Sequence, residues 1–441
     1  MPRCSPSEGL PVPAEGATVT QLDDETEAQV GGNSELPLAG LLVADFSRVL
    51  AGPLATMHLA DLGARVVKVE RPDGGDETRR WGPPFSATGS TYFESVNRNK
   101  QSLCLDLADP GDQGLARELA LRADVLVQNF KPGTLEAFGL GLSELRQANP
   151  RLVTVSISGF GTAGGAAVPG YDFVVQALGG LMHITGEADG PPSKVGVAVV
   201  DVLCGKDAAL GTLAALVRRG LTGRGGHVEV NLLSSLQGAL VNQIQSFVGA
   251  GVDPSRAGSH HPSIAPYELL ACQDGPLAIA CGTDGMFRRL VGELGCLELA
   301  SDTRFATNTE RVRHRPQLRR ALEERLGRAP AAEWEDRLVA VGVPVGRVAT
   351  ISEGLRLAER LGLEPVMDVL DSEGRVVGRQ VRGAVSVTPS PPSPRRASPV
   401  LGEHDAEIRQ WLATPLNRPE RPGRHTSATS PAHPADHEES R

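Results

Sequence analysis

The chain has 441 residues, a formal net charge of -9 and 40% hydrophobic residues. A chain of this length exceeds one ordinary hydrophobic core, so we expect two domains. Its apolar runs all fall short of the roughly 18 residues of a membrane span, which excludes an integral membrane protein. Outside an acidic first segment the charges are nearly balanced, and the absence of a basic stripe argues against a nucleic-acid partner.

The two ends of the chain have the composition of disordered tails. Residues 1–36 carry seven acidic side chains and one base, Arg3, and residues 413–441 are rich in Pro, Ser, His and Arg. The acidity argues against a transit peptide, and the regions of a signal peptide are missing. Six cysteines lie far apart without a C-x-x-C pair, as free thiols in a reducing compartment do. We therefore expect a cytoplasmic protein folded from about residue 37 to residue 412.

Short apolar runs alternate with helical patterns in the first half of this folded part. The intervals between the runs fit helical crossovers such as Leu54–Leu62 and Leu115–Arg122. Continuous runs rich in branched residues are typical of strands buried on both faces of a sheet. The pattern predicts an α/β fold with a mostly parallel sheet. The five runs are Leu41–Phe46, Arg65–Glu70, Leu103–Leu107, Asp124–Phe130 and Leu152–Ser158.

A sixth apolar run, Val195–Val200, leads into a long helical pattern. Asp201 takes the N-cap position of this predicted helix, and Gly220 takes the C-cap position. A glycine-rich turn then leads to a further predicted strand, His227–Asn231.

The residue pattern of the sequence changes after about Gly249. Loops containing Pro, Gly and His precede an apolar strand, Leu277–Cys281, and helical patterns follow from Met286 to Leu326. The segment Ser386–Pro399 contains five prolines and is typical of an extended strap. We expect a large domain over residues 37–249, a small domain with linkers over 250–385, and a strap with a last helix over 386–412 that returns to the large domain.

Two patterns suggest ligand sites that the surrounding residues do not support. Gly159–Gly164 matches G-x-G-x-x-G, but a dinucleotide site needs a helix to start there, and Gly165 and Pro169 follow instead. His260 and His261 are adjacent in a loop and cannot share one helix face, so we expect no metal site.

Two aspartates are candidates for chemistry, and each also has a structural interpretation. Asp201 and Asp172 both open predicted helices, where an aspartate is an ordinary cap. In the functional interpretation the helix N-terminus keeps Asp201 ionised and ready to attack, and its N–H groups steady an oxyanion. The residues alone leave both interpretations open.

A series of motifs, in order over about residues 37–412, resembles the family III (CaiB/BaiF, carnitine-dehydratase-like) CoA-transferases. Within the family, Trp81–Phe85, Asn231–Ser235 and Ser263–Tyr267 are most similar to succinyl-CoA–glutarate CoA-transferases. The motifs are Ala44–Pro53, Asp61–Ala64, Lys68–Pro72, Asn97–Lys100, Gln128–Gly133, Ser158–Gly161, Gly170–Asp172, Gly196–Asp201, Thr222–Gly225 and Leu401–His404.

The resemblance implies a Rossmann-like large domain, a small domain and a homodimer whose two chains are interlocked. It implies Asp201 as the nucleophile, which accepts CoA from an acyl-CoA donor such as succinyl-CoA and passes it to an acid such as glutarate. CoA and acyl-CoA are then substrates, with no permanently bound cofactor and no metal. The residues that it implies for the CoA groove are Leu50, Ala51, Arg71, Leu105, Asn129, Phe130 and Lys131.

The sequence leaves two further functions open, and it departs from the family pattern at one position. An α-methylacyl-CoA racemase would use Asp172 with a histidine, but no histidine lies between Gly159 and Gly170. A catalytically silent CoA-binding protein would keep the groove without turnover. The basic residue that the family often has before Pro-Gly-Tyr-Asp is replaced here by Val168, so one CoA contact is expected to be missing or supplied from elsewhere.

Overall fold

The structure, a computed structural model, describes residues 36–388 and 395–415. The predicted tails, residues 1–36 and 413–441, lie almost entirely outside these ranges. None of the described helices is both long enough and apolar enough to cross a membrane. The five cysteines in the described ranges are unpaired.

A six-stranded parallel sheet forms the centre of the larger part of the molecule. Its strand order is β3-β2-β1-β4-β5-β6, the order of a Rossmann fold. From β1 the chain moves outward to one side and then returns to build the other side, so the direction of winding reverses between β1 and β4. The predicted α/β fold with a parallel sheet is confirmed. The strands are β1 Leu42–Phe46, β2 Arg65–Glu70, β3 Lys100–Cys104, β4 Val125–Gln128, β5 Val153–Ser158 and β6 Gly226–Asn231.

Helices cover both faces of this sheet and build most of the smaller part. Two short 3₁₀ helices span Glu77–Arg80 and Leu297–Ala300. The α-helices are α1 Ala51–Asp61, α2 Thr91–Glu94, α3 Pro110–Arg122, α4 Thr134–Ala137, α5 Leu142–Ala148, α6 Asp172–Leu178, α7 Leu181–Ile184, α8 Val199–Thr222, α9 Leu232–Ala239, α10 Val241–Ala250, α11 Asp284–Glu293, α12 Asn308–Arg313, α13 Arg315–Leu326, α14 Ala331–Ala340, α15 Ile351–Arg360 and α16 Asp405–Ala413.

The predicted strand at Val195–Val200 is wrong. Residues 195–198 are irregular, and α8 begins at Val199. The Val195 N–H donates to the side-chain oxygen of Gln176 (3.0 Å) rather than to a strand. β6 occupies the position beside β5 and pairs with it over six residues, so β5 has no free edge on that side for another strand.

The predicted strand at Leu103–Leu107 is shifted relative to β3, which starts at Lys100. Lys100, Gln101 and Ser102 are polar yet buried in this strand. Their partners come from distant segments, so apolarity alone places the strand too late in the chain.

Two small antiparallel sheets lie in the second half of the chain. The first contains β7 Tyr267–Ala271, β8 Pro276–Ala280 and β9 Val345–Arg347, and the second is the hairpin of β10 Val366–Leu370 with β11 Val376–Val381. Buried side chains between Ala265 and Val343 form a hydrophobic cluster around the first of these sheets. The domain limits at residues 249 and 385 stay a prediction.

The last described segment lies against the open edge of the large sheet. Six residues of the predicted strap, 389–394, lie outside the described ranges. After them the Arg396 N–H donates to the side chain of Asn99 (2.8 Å), and the carboxylate of Asp405 accepts the Cys104 N–H (2.7 Å). These contacts hold α16 beside β3.

Candidate active site

A buried ion pair fixes the loop between β1 and α1. The Lys68 ammonium donates to the Ser47 carbonyl (2.9 Å) and to the Asp76 carboxylate (3.0 Å), which also accepts the Val49 N–H (3.2 Å). Val49 has a left-handed backbone with φ of 70°, which is costly for a β-branched residue. Asp76 therefore holds the loop in a conformation that Val49 alone disfavours.

A second buried pair lies beneath the same loop. Lys100 donates to Asp45 (3.1 Å), to the Pro53 carbonyl (2.9 Å) and to Asn97 (2.9 Å), and both charged side chains are shielded from solvent. Burial lowers the pKa of Lys100 to about 8. Burial alone would raise the pKa of Asp45, but Lys100 and Lys68 lower it to about 2. Together the two pairs anchor the first turn of α1 to β1, β2 and β3.

The residues expected to line the CoA groove all lie at the carboxyl edge of the sheet. Leu50 and Ala51 start α1 after β1, Arg71 directly follows β2, and Leu105 directly follows β3. Leu50, Ala51 and Leu105 are buried, whereas Arg71 is exposed. The remaining three residues, Asn129, Phe130 and Lys131, follow β4, and of these Lys131 is exposed.

This edge is also where the winding of the sheet reverses. Ligands of open α/β sheets bind outside the carboxyl ends of the strands, at the point of reversal. Here that point lies between the β1–α1 loop and the loop after β4, which are the two segments richest in expected groove residues. The side-chain amide of Asn129 joins these loops, because it donates to the Arg48 carbonyl (2.8 Å) and accepts the Arg48 N–H (2.9 Å).

Asp201 is the third residue of α8, and the predicted N-cap assignment is wrong. The N-cap residue is Ala198, which has no side-chain oxygen. The carboxylate of Asp172 replaces it by accepting the N–H groups of Val200 (2.8 Å) and Asp201 (3.3 Å). The C-cap is Gly223, in a left-handed conformation, rather than the predicted Gly220.

Asp172 therefore caps a different helix from the one that it opens. Its second oxygen accepts a hydrogen bond from Gln176 (2.6 Å), whose own oxygen accepts the Val195 N–H (3.0 Å). The buried carboxylate thus ties α6 to the segment before α8 and to the first turn of α8. The interpretation of Asp172 as a cap of its own helix is wrong, because the N-cap residue of α6 is Tyr171.

The carboxylate of Asp201 is half-buried and accepts no hydrogen bond from the residues that the structure describes. Burial and the negative charge of Asp172 raise its pKa to about 7. The helix N-terminus does not keep this group fully ionised at neutral pH, contrary to the expectation from the sequence. The Val200 and Asp201 N–H groups are bound to Asp172, so they are not free to hold an oxyanion.

The close packing of α8 on α1 brings Asp201 to the groove edge. Gly205, one turn after Asp201, lies so near α1 that a Cβ there would be 2.6 Å from the Ala51 carbonyl oxygen. Residues four apart share one face of a helix, so Asp201 faces the start of α1. Val202 packs in one hydrophobic cluster with Leu50. The structure therefore brings the first turns of α8, which carry the candidate nucleophile, together with Leu50 and Ala51.

Tyr92 is a residue of this site that the sequence did not single out. It packs in the same cluster as Leu50 and Val202 and meets the Trp81 ring edge-on, with ring centroids 4.9 Å apart. Burial and the charges of Asp201 and Asp172 raise the pKa of Tyr92 to about 12, so its hydroxyl stays a donor at neutral pH. Its only sequence signal is its place in the aromatic segment that starts at Trp81.

The glycine-rich stretch after β5 is a loop, as predicted. Residues 159–171 are irregular, and the next helix begins at Asp172. Gly159 and Gly170 approach each other closely, since a Cβ on Gly159 would lie 2.7 Å from the Cα of Gly170. No helix N-terminus faces this loop from Gly164, so the stretch does not form a dinucleotide site.

Within residues 36–388 and 395–415, no cluster of His, Cys, Asp and Glu has the arrangement of a metal site. The ring of His261 accepts the Ser263 N–H (3.0 Å) and packs against Tyr267. His260 lines a separate cavity beside β7 and β8.

Comparison with known proteins matches residues 38–405 to CoA-transferase family III. The succinate–glutarate CoA-transferase of Agrobacterium fabrum is 39% identical over 394 residues, 87% of this chain and 97% of that protein. The acetyl-CoA:oxalate CoA-transferase of Acetobacter aceti is 39% identical over 383 residues, 86% of this chain and 96% of that protein. A crystal structure of a CaiB/BaiF family protein from Brucella suis superposes with a TM-score of 0.76 at 39% identity, over 85% of this chain and 99% of that one.

The raised pKa of Asp201 predicts a pH-dependent stability difference for Asp201→Asn. Folding raises the pKa of this carboxyl from 3.8 to about 7, so the wild-type protein loses stability as the pH rises through this range. The variant lacks that loss. The urea midpoint of the variant minus that of the wild type should therefore increase between about pH 4 and pH 7 and then level off. Circular dichroism at one protein concentration measures both midpoints. A midpoint difference that stays the same across this range would contradict the assignment.

Proposed function

Because this chain belongs to CoA-transferase family III and is a CoA-transferase, we propose that it carries CoA from one acid to another on the carboxylate of Asp201. The observation that carries this proposal is the environment of that group. It is a half-buried carboxylate without a hydrogen-bond partner among the described residues, next to the start of α1 at the reversal point of the sheet.

The proposed reaction has two symmetrical halves. The Asp201 carboxylate attacks the thioester carbonyl of the donor, which gives a mixed anhydride and the CoA thiolate. The thiolate attacks the aspartyl carbonyl, releases the donor acid as its carboxylate and leaves a CoA thioester on Asp201. The acceptor carboxylate then attacks this thioester, and the same two steps run in reverse. Each step exchanges one anion for another, so the transfer consumes no proton, water or ATP.

The raised pKa of Asp201 fits a nucleophile of this kind. A carboxylate that is bound to several donors is stabilised and attacks poorly, whereas Asp201 accepts no hydrogen bond in the described part of the chain. Only the ionised form attacks, so the competent fraction of the free enzyme rises with pH through about 7. Asp172 is central here, because its charge adds to the effect of burial on the pKa of Asp201, while one of its oxygens accepts the Val200 and Asp201 N–H groups.

We further propose that the residues at the carboxyl edge of the sheet bind CoA. Arg71 uses its Nε to hold the Gly75 carbonyl (2.9 Å), which leaves the ends of its exposed guanidinium for a phosphate. Lys131, after β4, is exposed at the same edge of the sheet. Leu50, Ala51, Leu105, Asn129 and Phe130 complete the proposed groove.

The proposed substrates are short dicarboxylic acids, with succinyl-CoA as the donor and glutarate as the acceptor. The support is the similarity to relatives whose names include succinate–glutarate, acetyl-CoA:oxalate and succinyl-CoA:mesaconate CoA-transferase. The shared feature of these names is a small diacid.

We also propose that the protein is an interlocked homodimer. Large apolar side chains lie exposed along α8 and α10, and α15 buries none of its residues. Exposed apolar surface on this scale favours a partner, and a second copy of the chain is the simplest one. The residues concerned include Leu210, Val217, Leu221, Val241, Phe247, Val248, Ile351 and Leu357.

The racemase function has little support. It would require Asp172 to act as a base, but this carboxylate is occupied by the N–H groups of α8 and by Gln176. The expected histidine is missing between Gly159 and Gly170.

The first test is a covalent intermediate on Asp201. Incubation with succinyl-CoA and no acceptor should add the mass of CoA to the protein, and hydroxylamine should remove it. Asp201→Asn should fold, fail to form this adduct and lose at least about a thousandfold in kcat, a barrier increase of about 4 kcal/mol.

Two matched variants control this test. Asp207→Asn, on the same helix, keeps an oxygen that can accept the hydrogen bond from Ser235 (2.7 Å), so it should keep the adduct and the rate. Asp172→Asn should cost far less than Asp201→Asn and move the rising limb of the kcat/KM profile to lower pH, because it removes the charge that raises the pKa of Asp201. An active Asp201→Asn alongside an inactive Asp172→Asn would mean that the wrong carboxylate has been assigned.

The second test concerns the substrates. A panel of acyl-CoA donors against mono- and dicarboxylic acceptors, read by mass spectrometry, should give the highest kcat/KM with short diacids. Inert succinyl-CoA together with rapid turnover of a branched or monocarboxylic acyl-CoA would overturn the substrate class and leave the reaction type intact.

The third test concerns assembly. Interlocked chains cannot separate without unfolding, so dilution should leave the dimer intact. Single-molecule mass measurement on dilute protein should give twice the chain mass, and an active monomer would contradict the proposal.

A further inference from the structure

Arg48 is held rigidly at the point where the winding of the sheet reverses. Its N–H and carbonyl are both bound by the side-chain amide of Asn129, at 2.9 and 2.8 Å. Its guanidinium carbon lies over the ring of Phe130, 5.1 Å from the ring centroid. Two residues of the proposed CoA groove therefore fix the backbone of Arg48 and orient its side chain.

The guanidinium of Arg48 has unused hydrogen-bonding capacity. Its Nε is buried and has no acceptor in the described part of the chain. Its anionic neighbour is Glu77, whose Oε2 lies 3.8 Å from Nη1, beyond hydrogen-bond distance, and 43% of the Arg48 side chain is exposed. The exposed part of this side chain is therefore open to an incoming anion.

Two other arginines, by contrast, are bound to carboxylates. Arg79 makes two hydrogen bonds of 2.7 Å to the carboxylate of Glu70. Arg98 makes two hydrogen bonds to Asp61, at 2.9 and 2.6 Å. Both are bound to carboxylates of the protein, whereas the Arg48 guanidinium makes no hydrogen bond in the described part of the chain.

The anion that suits Arg48 is a phosphate rather than the far carboxylate of a short acid. A cation that binds the second carboxylate of a four- or five-carbon diacid must lie close to the nucleophile. The Arg48 guanidinium lies over Phe130 in the loop after β4, whereas Asp201 lies on α8, which packs on α1. Phosphate groups are carried on the distant part of CoA, and a planar guanidinium binds them with two parallel hydrogen bonds.

We propose that Arg48, stacked on Phe130, is a phosphate-binding residue of the CoA groove and donates its terminal N–H groups to phosphate oxygens of CoA. This inference rests on the proposed function of the groove. It adds a residue that sets affinity for the CoA portion of every substrate and leaves the chemistry at Asp201 unchanged.

The experiment measures ligand affinity by calorimetry for the wild type, Arg48→Gln, Arg48→Lys and the control Arg117→Gln, which alters an exposed arginine of α3. The ligands are CoA, 3′-dephospho-CoA and pantetheine, which carries no phosphate. Arg48→Gln should weaken CoA binding at least about tenfold, as expected for a lost charge-assisted hydrogen bond. Arg48→Lys should fall in between, because it keeps the charge and loses the fork. Arg117→Gln should match the wild type for every ligand.

The ligand series identifies the phosphate. If Arg48 binds the 3′-phosphate, dephospho-CoA should bind the wild type and Arg48→Gln equally. If it binds the pyrophosphate, both CoA and dephospho-CoA should bind the variant more weakly. Pantetheine should show no difference in either case, and kinetics should show a raised KM for acyl-CoA with kcat preserved.

Equal affinity of the wild type and Arg48→Gln for CoA would overturn the proposal, as would an equal loss for pantetheine. If Arg48→Gln does not fold, the proposal depends on Arg48→Lys, and CoA affinity equal to wild type in that variant would overturn it. Failure here is separate from failure of the proposed function. The adduct on Asp201 would still form in the wild type with saturating succinyl-CoA, whereas its absence there would remove the premise whatever Arg48 does.

Discussion

The carboxylate of Asp172 is the interaction on which the site depends. One oxygen accepts two N–H groups from the first turn of α8, and the other accepts a hydrogen bond from Gln176. A single buried group therefore joins α6, the irregular segment before α8 and the start of α8 itself. It also places a negative charge beside Asp201, which raises the pKa of the candidate nucleophile. Asp172 thus contributes to the position of Asp201 and, after burial, to its raised pKa.

The opposite side of the site depends on charges buried below the β1–α1 loop. The Lys68–Asp76 pair holds the backbone of Ser47 and Val49, and the Lys100–Asp45 pair holds the first turn of α1. Buried ion pairs contribute little net stability, because desolvation offsets their attraction. Their role here is conformational, since they keep a strained valine at the reversal point of the sheet. The close contact of Gly205 with Ala51 then joins this side to the helix that carries Asp201.

The residues that the family resemblance assigns to the CoA groove lie at one edge of the sheet for a topological reason. Leu50, Arg71, Leu105 and Asn129 each follow a strand of the observed sheet, and the carboxyl ends of parallel strands meet at one edge. A correct strand assignment therefore gathers them without any knowledge of side chains. The same reasoning failed at Val195–Val200, where a local apolar run competes with a distant strand for one sheet edge. It also missed Tyr92, whose place beside Asp201 depends on how the segment after Trp81 folds back.

The sequence by itself determined the α/β class, most strands of the parallel sheet and the family, and it selected the aspartate to test, because these depend on local periodicity and on motifs read along the chain. The tertiary structure decided how that aspartate is held. Its helix is capped by Asp172, a residue 29 positions away, rather than by Asp201 itself. Local propensity allows any aspartate at a helix start to cap its own helix. Which aspartate caps α8 depends on which carboxylate reaches its free N–H groups. The packing of α6 on α8 brings Asp172 there, and this packing is a property of the folded chain.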